Sequence, residues 1–227
     1  MWDNDKIEKL LREHEDEAYR EFHGGLTKTS YSRIGVRVPV LRKIAKEIIK
    51  SDEWEEFLSV RPIVFYEHAM LAGIISATVK EPYEEKIKRL KAFSEDIDDW
   101  AVCDITCSSL KCKDGRLLAD MCGFAVSEDI WLARMGIVVL LGNFAYGEYL
   151  DVLRETVNGV VAKDYYIDMA LGWLICTLES HSKGAGIELM KTAKISQTVK
   201  KMAASKMRDS YRVSVDIKKQ AAELAKV

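Results

Sequence analysis

The chain has 227 residues, of which 48% are hydrophobic and 31% are charged, a composition typical of a globular protein rather than a disordered one. Three prolines and 13 glycines leave little room for the turns of a β-sheet or for a flexible linker. No apolar run approaches the roughly 18 residues that a membrane-spanning helix needs. The acidic N-terminal segment resembles neither a signal peptide nor a transit peptide, so we expect a cytoplasmic protein with reduced cysteines and no membrane partner.

The charge is unevenly distributed along the chain. Residues 183–227 contain 11 basic and 4 acidic residues, a net charge of +7, which leaves −9 on residues 1–182 of a chain with a net charge of −2. A basic end on an acidic body is a candidate binding surface for a polyanion. A solvated helix face would produce the same pattern, and charge alone favours neither interpretation.

Apolar residues recur at intervals of three and four almost throughout, which predicts one helix after another. Pro39 suits the first turn of the second helix, and Ser127 with two acidic residues after it is a good N-cap for the eighth. The predicted helices cover about residues 7–22, 38–50, 54–60, 64–79, 82–93, 98–110, 115–126, 127–144, 147–161, 164–180, 187–193, 197–206 and 209–224.

Successive helices pair with a spacing of roughly 35–40 residues, which is typical of helical-repeat proteins. We therefore predict an all-α fold, an α-solenoid of degenerate HEAT- or armadillo-like repeats with a concave binding face. Residues 1–227 are expected to form a single domain, with basic helices at its C-terminal end.

Four side chains stand out because they are polar or bulky groups set into otherwise apolar helices. They are Trp100, Asp104, Arg134 and Trp173. Burying a charge is costly unless it meets a partner or a ligand, which makes these residues candidates for a site. The alternative is structural: Asp104 caps a helix or pairs with Arg134, and the two indoles fill the core.

Metal and nucleotide motifs are absent from the sequence. Cys103 and Cys107 have no recognised zinc spacing, the four histidines form no metal motif, and there is no phosphate-binding glycine loop or nucleophile elbow. We therefore expect neither a metal nor an organic cofactor.

Five segments, in order, resemble the DNA alkylation-repair glycosylases built from HEAT-like repeats (the AlkD-like family). They are IGVRVPVLRKIAKEI, DDWAVCDITC, WLARMGIVVLL, DYYIDMALGWLICT and KMRDSYRVS, and together they span nearly the whole chain. The resemblance implies a monofunctional DNA glycosylase of base excision repair that removes positively charged N3- or N7-alkylated purines from double-stranded DNA. It implies no cofactor, and nothing in the sequence demands more than a monomer.

The resemblance also implies site residues. Asp104 would be the catalytic carboxylate, Trp100 and Trp173 would flank the sugar of the lesion nucleotide, and Arg134 would contact the DNA backbone. Further DNA contacts are expected from the first and last matched segments, at Arg37, Lys206, Arg208 and Arg212. Phe22 and Tyr31 are two candidates for an aromatic contact from the loop region over residues 22–31, which precedes the first matched segment.

The chemistry suits these residue types. An alkylated purine already carries positive charge and leaves readily, so no general acid is required. A carboxylate can stabilise the oxocarbenium-like sugar and orient water. The rival prediction is a noncatalytic HEAT-like module that binds DNA or a protein, in which Asp104 and Arg134 form a buried structural pair.

Overall fold

The computed structural model describes residues 1–112 and 114–226, and the chain divides after Cys112 into two compact units. The described residues contain fourteen α-helices, two short 3₁₀ helices and no β-strand, with one isolated parallel bridge between Ser32 and Phe65. The all-α prediction is therefore confirmed. The single domain over residues 1–227 stays a prediction.

The first unit pairs successive helices around a buried central one. Its elements are α1 (Asn4–Arg12), α2 (Glu17–Gly24), α3 (Val38–Lys50), α4 (Trp54–Ser59), α5 (Tyr66–Thr78), α6 (Tyr83–Phe93), a 3₁₀ helix (Ser94–Asp96) and α7 (Trp100–Ser109). Helices α3, α5 and α7 pack side by side, α4 packs against α3 and α5, and α6 packs against α5. All residues of α5 from Tyr66 to Ala77 are buried, which explains its nearly continuous apolar sequence.

The second unit has two layers of helices. Its elements are α8 (Leu117–Ala125), α9 (Ile130–Asn143), a 3₁₀ helix (Gly147–Tyr149), α10 (Leu150–Gly159), α11 (Tyr165–His181), α12 (Ala185–Thr192), α13 (Gln197–Asp209) and α14 (Val215–Leu224). Helices α9, α11 and α13 form one row, and α8, α12 and α14 pack on them as their partners, with α10 between α8 and α12. This repeated pairing is the arrangement expected of HEAT-like repeats.

A glycine sets the spacing between α11 and α13. A Cβ on Gly172 would lie 2.9 Å from the Cβ of Met202 and 3.1 Å from the amide nitrogen of Ala203. Because Gly172 has no side chain, α13 closes onto α11 next to Trp173. This contact brings the basic helix α13 beside an indole that the sequence singles out.

The first predicted helix is wrong in one respect, because residues 13–16 interrupt it. The amide of Asp16 donates to the carbonyl oxygen of Gly35 at 2.9 Å, and its carboxylate accepts from the amide of Tyr19 as the N-cap of α2. Gly35 has a φ of +99°, and a Cβ there would lie 2.7 Å from the Cβ of Arg20. A contact distant in sequence, which periodicity cannot reveal, therefore breaks the helix.

Two further boundaries differ from the prediction. The last helix begins at Val215 rather than near residue 209. The N-cap of α9 is Asp129, whose carboxylate accepts from the amide of Leu132 at 2.7 Å, and not Ser127. The hydroxyl oxygen of Ser127 instead accepts from the amide of Asp129 at 3.1 Å. Over the described part of the chain, no helix combines the length and apolarity required to cross a membrane.

Candidate functional site

One exposed stripe runs along α7. Trp100 and Asp104 are each partly exposed and Ser108 is exposed, whereas the other residues from Ala101 to Ser109 are buried. Residues four apart lie on the same face of a helix about one turn from each other. The predicted pair therefore shares one surface, with an indole and a carboxylate side by side.

Asp99 fixes the N-terminus of α7. Its carboxylate is fully buried and accepts three hydrogen bonds, from the amide of Ala101 at 2.9 Å, the amide of Lys28 at 3.0 Å and the hydroxyl of Tyr66 at 2.7 Å. Burial raises the pKa of Tyr66 well above its ordinary value, so the phenol stays a donor. The helix that carries Trp100 therefore begins at a rigid, fully bonded cap.

Asp98 ties the preceding loop to the same place. Its carboxylate accepts from the hydroxyl of Thr29 at 2.7 Å and from the amide and the hydroxyl of Ser30, both at 2.7 Å. The indole Nε1 of Trp100 donates to the carbonyl oxygen of Leu26 at 3.4 Å. These hydrogen bonds hold the loop in place next to the Trp100 ring.

The two candidate aromatics of this loop region differ in availability. Phe22 is 67% exposed. Tyr31 is partly buried and its hydroxyl donates to the carbonyl oxygen of Asp96 at 2.8 Å, while burial raises its pKa to about 12. Phe22 is therefore the ring with free surface for a ligand.

Arg37 immediately precedes α3. Its Nε donates to a carboxylate oxygen of Asp16 at 2.8 Å, and its guanidinium lies 4.9 Å from the ring centroid of Tyr19. The hydrogen bond from the Tyr19 amide, together with Arg37, lowers the pKa of Asp16. Arg37 is exposed and already paired, so its predicted contact with DNA stays a prediction.

The second unit presents an aromatic and basic groove of about 550 Å³ between α11 and the end of α13. Trp173 is 39% exposed at its wall. The Nζ of Lys206 lies 5.7 Å from the Trp173 ring centroid, and Tyr211 and Arg212 complete one side. Three residues that the sequence predicted, Trp173, Lys206 and Arg212, therefore line one groove.

Two other predicted arginines lie in different settings. Arg208 is exposed and pairs with Asp209, Nε to Oδ1 at 3.0 Å. Arg134 is only 4% exposed, and its Nη1 donates to the carbonyl oxygen of Tyr166 at 2.6 Å. The guanidinium thus holds the first turn of α11 to α9, and a contact between Arg134 and DNA stays a prediction.

Sequence reasoning missed two further buried carboxylates, those of Glu67 and Glu179. Glu67 accepts from the amides of residues 34–36 at 2.6–3.3 Å, and Glu179 accepts from the amides of Gly184 and Ile187 at 2.7 and 3.1 Å. Both bind backbone donors, which offsets the cost of burying a charge. A lone acid in an apolar helix is the only signal in the sequence, and it does not separate these structural acids from Asp104.

No cluster of three or more potential metal-binding His, Cys, Asp or Glu side chains occurs in residues 1–112 or 114–226. The five cysteines are free thiols. What the surfaces offer is a carboxylate beside an indole on α7, and an indole beside cations on α11 and α13. This is a helical-repeat protein with an aromatic and basic groove suited to a polyanionic ligand, and with a separate acidic side chain beside an indole on α7.

Comparison with known proteins agrees with that class. A family model described as "DNA alkylation repair enzyme" matches residues 7–212, so the chain belongs to this family. Membership assigns it an enzymatic role in the repair of alkylated DNA. No curated protein and no solved structure matches the chain.

Proposed function

We propose that this protein is a monofunctional DNA glycosylase that excises positively charged N3- and N7-alkylated purines from duplex DNA, as the first step of base excision repair. One observation carries the proposal. Trp100 and Asp104 lie one turn apart on the only exposed face of the described α7, in a chain that belongs to the alkylation-repair family.

The residues of the site support this choice of substrate class. Alkylation at N3 or N7 gives the purine a formal positive charge, so the base leaves without protonation and no general acid is needed. As the glycosidic bond breaks, positive charge develops on the deoxyribose. A fixed carboxylate near that sugar stabilises the charge and orients the water that attacks it.

Asp104 suits that role because its surroundings are rigid and its surface is partly open. The cap at Asp99 and the loop bound by Asp98 fix the first turn of α7. Trp100 then presents its indole on the same face. An aromatic ring against a cationic sugar contributes about 0.5–2 kcal/mol, which adds to the electrostatic effect of the carboxylate.

In this proposal the groove of the second unit binds the DNA. Lys206 and Arg212 would neutralise phosphates, and the exposed indole of Trp173 would contact a sugar of the lesion strand. In the same proposal, Arg37, Arg134 and Arg208 make supporting contacts with the DNA backbone. No metal or cofactor takes part in the proposed hydrolysis.

The test is the identity of the product. A duplex that contains a single 7-methylguanine is incubated with the protein, and small molecules and DNA are analysed separately by mass spectrometry. The proposal predicts free 7-methylguanine and a DNA strand with one abasic site. Removal of the methyl group with the guanine left in the strand would overturn the proposal. So would unchanged DNA after incubation with protein that is shown to be folded. An unmodified duplex is the matched control.

A further inference from the structure

A second groove, of about 610 Å³, lies within the first unit and has no role in the site described above. One side of α3 and the C-terminal ends of α5 and α7 form its walls. Ala45, Ile49 and Ile74 contribute apolar surface. The groove is therefore an open channel with a partly apolar floor.

Basic side chains surround it. Arg42, Lys46, Lys80 and Lys111 line the groove with one acid, Asp52. None of these four cations forms an ion pair with any residue in the described part of the chain. Other arginines of the same unit are paired, among them Arg89 with Glu81 at 2.8 Å. Four cations without ion pairs and one acid give the groove a net charge of +3, which favours binding of an anion.

The guanidinium of Arg42 is held in place by two hydroxyls of α7. Its Nη1 donates to the Oγ of Ser109 at 2.8 Å and its Nη2 donates to the Oγ of Ser108 at 3.2 Å. Both serine hydroxyls in turn donate to the carbonyl oxygen of Ile105. Arg42 is thus oriented by neutral acceptors, which leave its positive charge unneutralised and its remaining N–H groups open.

The groove continues the exposed stripe of α7. Ser108 lies about one turn, roughly 6 Å along the axis, beyond Asp104 on the same face. Lys111 follows just after the helix ends. A strand whose reacting sugar lies at Asp104 would therefore pass directly into this groove.

We propose that this groove binds backbone phosphates of the duplex adjacent to the lesion nucleotide, an inference that rests on the proposed glycosylase function. The cations come from three separate parts of the chain along an open channel, which suits a linear polyanion. The C-terminal ends of α5 and α7 present carbonyl oxygens here rather than amide donors, so a phosphate in this groove would be bound by the cationic side chains.

The experiment measures how binding to an undamaged duplex depends on salt, by fluorescence anisotropy. The double variant Lys46→Gln, Lys111→Gln is compared with Lys43→Gln, Lys50→Gln, which removes two lysines from α3 that do not line the groove. Each lost phosphate contact reduces the magnitude of the negative slope of log K against log salt by about 0.9. The slope of the groove variant should therefore be smaller in magnitude by about 2 than that of the wild type, and the slope of the control variant should be unchanged.

Equal slopes for the two double variants would overturn the groove assignment, and so would a wild type that does not bind the duplex. Single-turnover release of 7-methylguanine at subsaturating protein is measured in parallel. The groove variant should release the base more slowly because it binds the duplex more weakly, whereas the control variant Lys43→Gln, Lys50→Gln should match the wild type. A reduced slope without base release by the wild type would retain the groove as a DNA contact and reject the glycosylase. Base release by the wild type together with unchanged slopes for both double variants would retain the glycosylase and reject the groove as a DNA contact.

Discussion

At the scale of single residues, the buried carboxylates and the buried histidine of this protein differ in how the cost of their burial is offset. Asp99, Glu67 and Glu179 are buried and bind backbone amides, so their charge is compensated by the fold itself. His68 is the opposite case. It is fully buried against Phe57, and neither ring nitrogen has a hydrogen-bond partner among the described residues.

His68 gives the protein a pH-dependent stability. Burial lowers its pKa from 6.5 to about 4, so between these values the unfolded chain binds a proton that the folded chain does not. Above pH 6.5 the imidazole is neutral in both states, and His68 does not reduce the free energy of unfolding. As the pH falls from 6.5 towards 4, protonation of the unfolded chain lowers the free energy of unfolding by about 3 kcal/mol in total.

Urea unfolding of the wild type and of His68→Leu from pH 7 to pH 4 checks this prediction. The variant should lose less stability over that range, because it has no imidazole to protonate. The exposed His14→Gln is the control and should follow the wild type. Identical pH profiles for all three proteins would show that His68 is not the titrating group.

At the scale of elements, the loop over residues 26–31 is held to α7 by side-chain hydrogen bonds rather than by its own secondary structure. Asp98→Ala removes the acceptor for Thr29 and Ser30. We expect the Ser30 amide to exchange at least tenfold faster with solvent, because a lost hydrogen bond to a charged group corresponds to about 1.5–3 kcal/mol.

Hydrogen exchange followed by mass spectrometry measures that effect, with Asp5→Ala on the exposed face of α1 as the control. Release of 7-methylguanine by Asp98→Ala should fall as well, since the loop supports the Trp100 ring. An unchanged exchange rate at residues 26–31 would mean that other contacts hold the loop.

The elements themselves follow from the sequence to a large extent. The 3.6-residue period and the caps predicted most helices within a few residues, because one apolar face per helix is what packing demands. The break near Asp16 escaped prediction, since Gly35 from a distant loop determines it. Ser127 and Asp129 are both good caps locally, and only the folded chain decides between them.

The candidate site was predicted in part, for the same physical reason. Trp100 and Asp104 are four apart on one helix, so their common face can be read from spacing. Arg42, Lys46, Lys80 and Lys111 are spread over three parts of the chain and meet only through packing. A lone arginine in α9 predicted a special role but not that Arg134 would donate to the backbone at Tyr166.

At the scale of the whole molecule, the structure shows where part of the charge asymmetry between residues 1–182 and 183–227 is located. Part of the excess positive charge lies beside Trp173, at Lys206 and Arg212. A chain with net charge −2 can still bind a polyanion where the local field is positive, and that binding weakens with salt.

The double variant Lys206→Gln, Arg212→Gln tests this distribution. Loss of two phosphate contacts should weaken binding to a duplex at 0.1 M salt on the order of tenfold or more. Lys191→Gln, Lys194→Gln makes the same change in net charge outside the groove and should bind nearly as the wild type does. Equal weakening by both pairs would point to net charge rather than to the groove.

The catalytic role of Asp104 is tested by the single-turnover rate of 7-methylguanine release by the wild type, Asp104→Asn and Glu155→Gln, with the fold of each checked by circular dichroism. Loss of the charge that stabilises the cationic sugar should slow Asp104→Asn by about 10²-fold or more. Glu155→Gln, an exposed acid on α10, should match the wild type. Release by Asp104→Asn at the wild-type rate would contradict the assignment of this carboxylate to catalysis.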